Sequence, residues 1–262
     1  MKTAEVRRQR SEVRGQRSVS DGNASGFSAA RSVRRAPAAF TLIELLVVIG
    51  VIVLLAGLSF PAMVAVKTAQ ARTRARGELT QIETAIETYK TKLGFYPPDN
   101  TNNWVVNQLY YELLGTTKDS TGYQTLDGSA RVLNTGFAAA FGAGSGITGF
   151  MNCSAAGAGD DVAAAGKFLK GLKEGQFRAI TNGTIATPVV TLLGSAIGGA
   201  TVFYGPTGEL TPYGYNSSGP QHNPKSFDLW VDIIAGGKTN RISNWSTRPI
   251  IVYYSLIANS YP

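Results

Sequence analysis

Phe40-Thr41-Leu42-Ile43-Glu44-Leu45-Leu46-Val47-Val48-Ile49-Gly50-Val51-Ile52-Val53-Leu54-Leu55-Ala56-Gly57-Leu58-Ser59-Phe60 is the stretch on which the reading of this chain turns. From Leu45 to Val66 the sequence runs 22 residues without a charge. Wound as a helix at ~1.5 Å per residue it would rise ~33 Å, about the thickness of a hydrocarbon core. Nine basic residues precede it (Lys2, Arg7, Arg8, Arg10, Arg14, Arg17, Arg31, Arg34 and Arg35). That bias predicts an N-terminus kept in the cytoplasm and a C-terminal part across the membrane. A secretory signal would place its small residues after a shorter apolar run, whereas Ala36, Ala38 and Ala39 come before this one. Glu44 breaks the apolar pattern near its start. A carboxylate at the edge of such a segment is costly and calls for a partner. A chain cut before Phe40 would supply one, its new α-amino group.

Working toward the C-terminus, Pro61 is expected to kink the helix, because its ring clashes with the preceding turn. Lys67, Arg72, Arg74 and Arg76 form a basic strip suited to lipid headgroups. Leu79, Ile82, Ile86, Tyr89 and Leu93 then recur at steps of three and four, one face of an amphipathic helix. Gly94 and Pro97-Pro98 end it, since Gly suits the C-terminal cap and Pro cannot continue. A helix from about Thr41 to Lys92 would be ~78 Å long, apolar all round in its first half and amphipathic in its second.

Charge and cysteine content exclude several classes. Of the net charge of +8, residues 1–39 carry nine bases against three acids. The remainder is nearly neutral, so no nucleic-acid footprint is expected on the folded part. One Cys and one His exclude a disulfide framework and every Cys/His zinc pattern.

Arg34-Arg35-Ala36-Pro37-Ala38-Ala39-Phe40-Thr41-Leu42-Ile43-Glu44-Leu45-Leu46-Val47-Val48-Ile49 resembles the class III signal of type IV pilins and type II secretion pseudopilins. The similarity is close from Phe40 to Pro61. Ile86 to Pro97 is similar to the helix end of the major pseudopilin, which favours that branch. The resemblance implies cleavage between Ala39 and Phe40 by a prepilin peptidase, N-methylation of Phe40, and neutralisation by Glu44 of the Phe40 amine in a neighbouring subunit. The sequence departs from the family pattern in having Ala39, not Gly, before the cut, and in its long leader.

The rest of the chain reads as an α+β head. Asn103 to Leu114 suggests a short helix ending at Gly115. Residues 136–199 hold 14 Gly, predicting a loop-rich insertion with a helix from about Val162 to Lys173, capped by Asp160 or Asp161. Strands are expected at Thr184–Leu193, Thr201–Tyr204, Phe227–Ile234 and Pro249–Ile257, with a turn at Gly236-Gly237. The expected fold is a long N-terminal transmembrane-plus-amphipathic helix packed on a small antiparallel β-sheet head, pilin-like. The divisions are a removed leader at 1–39, a transmembrane and filament-core helix at 40–66, an amphipathic half at 67–94 and a periplasmic head at 95–262.

Chemical signals are sparse. Gly144-Ser145-Gly146-Ile147-Thr148-Gly149 matches a dinucleotide-binding spacing but neither follows a strand nor opens a helix. His222 lies in a Gly/Pro-rich loop, Cys153 has no partner to pair with, and the Asn-x-Ser/Thr triplets are those expected in an Asn- and Ser-rich chain. Asp228 and Asp232 share strand parity and, with Asn240, Ser243 and Asn244, offer oxygen donors for calcium. The resemblance points to the same region, whose family carries a calcium loop. No other cofactor and no enzymatic activity are expected.

The reading is a pseudopilin-like structural subunit polymerising into a periplasmic filament of a type II secretion system. Its implied partners are itself, the prepilin peptidase, an inner-membrane assembly platform, minor pseudopilins and membrane lipid. The expected location is the inner membrane, single-pass, before assembly. The alternatives are a type IV pilin for adhesion, motility or DNA uptake, and a membrane-anchored periplasmic binding module.

Overall fold

A computed structural model describes residues 40–155, 164–180, 190–197 and 210–253, without the side chains of residues 58–62. The chain divides into two compact units, Met1–Gly50 and Val51–Pro262. The main helix, α1 (Leu42–Leu93), has 52 residues and continues through Pro61. It stops where the sequence provides for a stop: the Gly94 N–H bonds the Lys90 carbonyl at 2.8 Å, and Gly94 takes φ 87°, a conformation that favours glycine.

In the second unit, Leu79, Ile82, Ile86 and Tyr89 of α1 are at most 3% exposed. Each such apolar burial is worth ~1.5–3 kcal/mol before entropy costs. They join α2 (Leu109–Leu114), all six residues of which are buried, in the main core.

Around this core lie three sheets. The first takes β1 (Thr116–Lys118), β2 (Gly122–Thr125), β3 (Arg131–Leu133) and β4 (Cys153–Ala155) in the order β3-β2-β1-β4. Its β1–β4 pair is parallel. Short helix α3 (Phe137–Phe141) precedes β4, and its two Phe rings meet Tyr111, Tyr123 and Phe150 in an aromatic cluster with Tyr111 stacked on Phe150 at 4.5 Å. The second sheet has β5 (Phe177–Ile180), β6 (Val190–Ser195) and β7 (Thr211–Pro212). The third runs β11-β10-β9-β8, built from β8 (Gly214–Asn216), β9 (Asp228–Ala235), β10 (Lys238–Ser243) and β11 (Ser246–Val252).

Gly236 and Gly237 close the β9–β10 hairpin with φ of 63° and 71°. Two consecutive positive values are what a two-residue type I′ loop requires. That loop fixes the register and sets Arg241 opposite Asp232.

Several expectations are corrected. The architecture is α+β with three sheets and a parallel pair, not the pilin-like arrangement of one helix on one small antiparallel sheet. Among the described residues no helix is long and apolar enough to cross a membrane. Described apolar side chains run from Leu45 to Gly57, 13 residues, or ~20 Å of helix against the ~30 Å a hydrocarbon core demands. The transmembrane assignment, and the single-pass inner-membrane location built on it, are therefore withdrawn. Residues 164–173 are not helical, and Gly171 there takes φ 69°, outside the helical region. The expected strand at Thr201–Tyr204 and the leader lie outside the described residues.

Candidate functional site

The first unit begins its helix with a reciprocal cap. The Thr41 N–H and hydroxyl both donate to Glu44 Oε2, at 2.8 and 2.7 Å, and the Glu44 N–H returns to the Thr41 hydroxyl at 3.3 Å. Thr-x-x-Glu at a helix start is a capping box: each side chain satisfies a backbone donor of the first turn that has no partner within the helix. Those hydrogen bonds hold the exposed Glu44 carboxyl below its usual range. Glu44 thus has a local partner in Thr41. Phe40 is 78% exposed, and with Ile43, Glu44, Val47 and Val48 it lines an open groove. Ala39, the other side of the expected cut, lies outside the described residues.

Beyond the cap, the apolar side chains face outward. Leu42, Ile43, Leu45, Leu46, Val47 and Ile49 are each more than half exposed. In the second unit Ile52, Val53 and Leu54 are equally open. Contiguous apolar exposure on this scale marks an interaction surface in a folded protein. No titratable pair or nucleophile accompanies it, so what the segment can do chemically is associate.

The basic strip does not serve as one surface. Arg72 Nε donates to Asn240 Oδ1 at 3.0 Å, and the Arg76 guanidinium donates to the carbonyls of Ser243 and Ser246. These two arginines fasten α1 to β10 and β11. Lys67 and Arg74 remain exposed.

Asp228 and Asp232 are both buried and both engaged. Asp228 accepts the backbone N–H groups of Gln221, His222 and Asn223 at 2.8–2.9 Å, organising the loop ahead of β9. Asp232 forms a two-point pair with Arg241, both distances 2.8 Å. Asn240 and Asn244 spend their amides on main-chain carbonyls. Among the described residues no group of three or more His, Cys, Asp and Glu side chains gathers as a metal site would. His222 stacks on Trp245 with ring centres 4.2 Å apart. Gly144 and Gly146 of the glycine-rich loop take φ of 80° and 71° in a turn, and Asn152 is buried.

Sequence reasoning missed two carboxylates. Glu112, on α2, is fully buried. It accepts the N–H groups of Met151 and Asn152, at 2.7 and 2.9 Å, and the Tyr89 hydroxyl at 2.9 Å. Burial pushes its carboxyl up despite these donors, and the Tyr89 hydroxyl is pushed up as well, by burial and by the neighbouring carboxylate. Glu78 of α1 accepts the Ser195 hydroxyl at 2.7 Å, and burial raises it too. No local signal could have found either, because the partners lie between 23 and 117 positions away.

No protein-family model, curated protein or solved structure matches this chain.

Proposed function

We propose that the chain is a pseudopilin-like structural subunit that polymerises into a filament serving protein export. The assembling surface is the exposed apolar segment of α1, released by cleavage between Ala39 and Phe40. The observation that carries this reading is the outward-facing row from Leu42 to Ile49, directly behind a capped helix start. Removing that much apolar area from water favours association without any directional bond, and a second copy presents a matching face. The capping box keeps the first turn wound, so that the row stays on a helix. Glu44 keeps Oε1 available, since both Thr41 bonds go to Oε2.

Two measurements test this. Mass spectrometry of the protein from its own host should find a mature chain beginning at Phe40. Sedimentation and negative-stain microscopy of that mature chain should show concentration-dependent polymers, which Leu46→Glu abolishes while the circular dichroism of the head is kept. A mature chain that stays monomeric at every concentration, or a Leu46→Glu variant that polymerises equally well, would overturn the reading.

A further inference from the structure

Where α1 meets β6 and β7, the packing leaves a polar cluster that nothing described so far uses. Glu78 is half-buried and accepts one hydrogen bond, from the buried Ser195 hydroxyl at the end of β6. Tyr213, just past β7, is 1% exposed. Its hydroxyl lies beside Glu78, yet it finds no hydrogen-bond partner of normal geometry. A buried hydroxyl without a partner is costly.

We propose that Glu78, Ser195 and Tyr213 form a proton-operated latch that holds α1 against the β5–β6–β7 sheet. An ionised Glu78 only accepts, and in this arrangement its one donor is Ser195. A protonated Glu78 gains an O–H. It can then donate to the Tyr213 oxygen while still accepting from Ser195, which supplies the missing partner and removes a half-buried charge. The latch closes in acid and loosens as pH rises.

The charged surroundings are few. Lys173, exposed, attracts Glu78 from the loop ahead of β5. Strands β6, β7 and β8 contain no charged residue. On α1 itself, Arg74 is exposed and Arg76 is committed to the carbonyls of Ser243 and Ser246. Burial outweighs the attraction of Lys173, and the Glu78 carboxyl is raised. The inference concerns the buried half of α1 and does not depend on filament formation.

The test is amide hydrogen exchange of the full chain at pH 5 and pH 8, corrected for intrinsic rates. In the wild type, protection of Leu79–Ile86 should be higher at pH 5, by about two- to ten-fold for one hydrogen bond gained. Glu78→Gln carries a permanent donor and acceptor, so it should be equally protected at both pH values. Tyr213→Phe removes the hydroxyl that needs a partner and should shrink the pH difference. A pH dependence unchanged in Glu78→Gln, or a wild type protected equally or better at pH 8, would overturn the latch.

Discussion

Glu112 shows how one side chain can tie together elements far apart in the sequence. It stands on a six-residue helix and accepts hydrogen bonds from α1 and from the segment leading into β4. Its two oxygens face donors only. Glu112→Gln would turn an NH2 toward one of them and leave a buried N–H or O–H without a partner, at a cost of ~1–3 kcal/mol. Urea unfolding at pH 7 should report that loss as a lower midpoint with an unchanged slope. The pH dependence follows from the raised carboxyl. The folded state binds this proton more readily than the unfolded chain. The site's stabilisation is therefore complete below the ordinary carboxylate range and is lost as pH rises through the elevated value. The variant should lack that part of the pH slope. Tyr111, which accepts the Thr191 N–H and is pushed up to about 12 by burial, adds nothing to this range.

At the scale of the element, α1 is held by more than its apolar face. Arg76 reaches the Ser243 and Ser246 carbonyls with one guanidinium, spanning the turn between β10 and β11. Arg76→Leu should cost ~1.5–3 kcal/mol, the worth of hydrogen bonds to a charged donor. Arg76→Lys should recover little of it, because an ammonium lacks the planar fork. Thermal melts of the two variants should therefore fall close together and below the wild type; a lysine variant that melts like the wild type would refute this role. The same helix shows where sequence reading works and where it stops. The Leu79–Tyr89 stripe, the stop at Gly94 and the Gly236-Gly237 turn were legible because each is a local rule: a period, a cap, a required φ. Strand β9 was legible for the same reason, a run of β-formers bounded by turn residues. Strands of three or four residues such as β1, β3 and β4 carry no pattern long enough to read, and their pairing into separate sheets is settled by contacts distant in sequence. Arg72 and Arg76 looked like a lipid-facing strip because a charge run does not reveal which carbonyls it will find. Asp232 looked like a cation ligand, yet the hairpin register places Arg241 directly across from it. The capping box was written as Thr41-Leu42-Ile43-Glu44, and Glu44 drew attention through the apolar residues that follow it, not through the threonine three places earlier.

For the whole molecule the question is what drives one copy toward another. Two forces could act: burial of the exposed row from Leu42 to Ile49, or pairing of the charges left on the surface, such as Lys67 and Arg74. They respond oppositely to conditions. Apolar burial weakens on cooling and is strengthened by sulfate, which is excluded from protein surfaces. Exposed charge pairs are screened, with a Debye length near 10 Å at 0.1 M and about 3 Å at 1 M salt. Between 5 and 25 °C the critical concentration for assembly of the mature chain should therefore fall. It should fall further in 0.5 M sodium sulfate, and raising sodium chloride from 0.1 to 1 M should not increase it. Light scattering against concentration measures all three. The head would be a passenger in this process, since its own apolar residues are already committed to the core around Tyr89, Tyr111 and Phe141. Association that strengthens on cooling and dissolves in 1 M sodium chloride would move the contact from the apolar row to the charged surface.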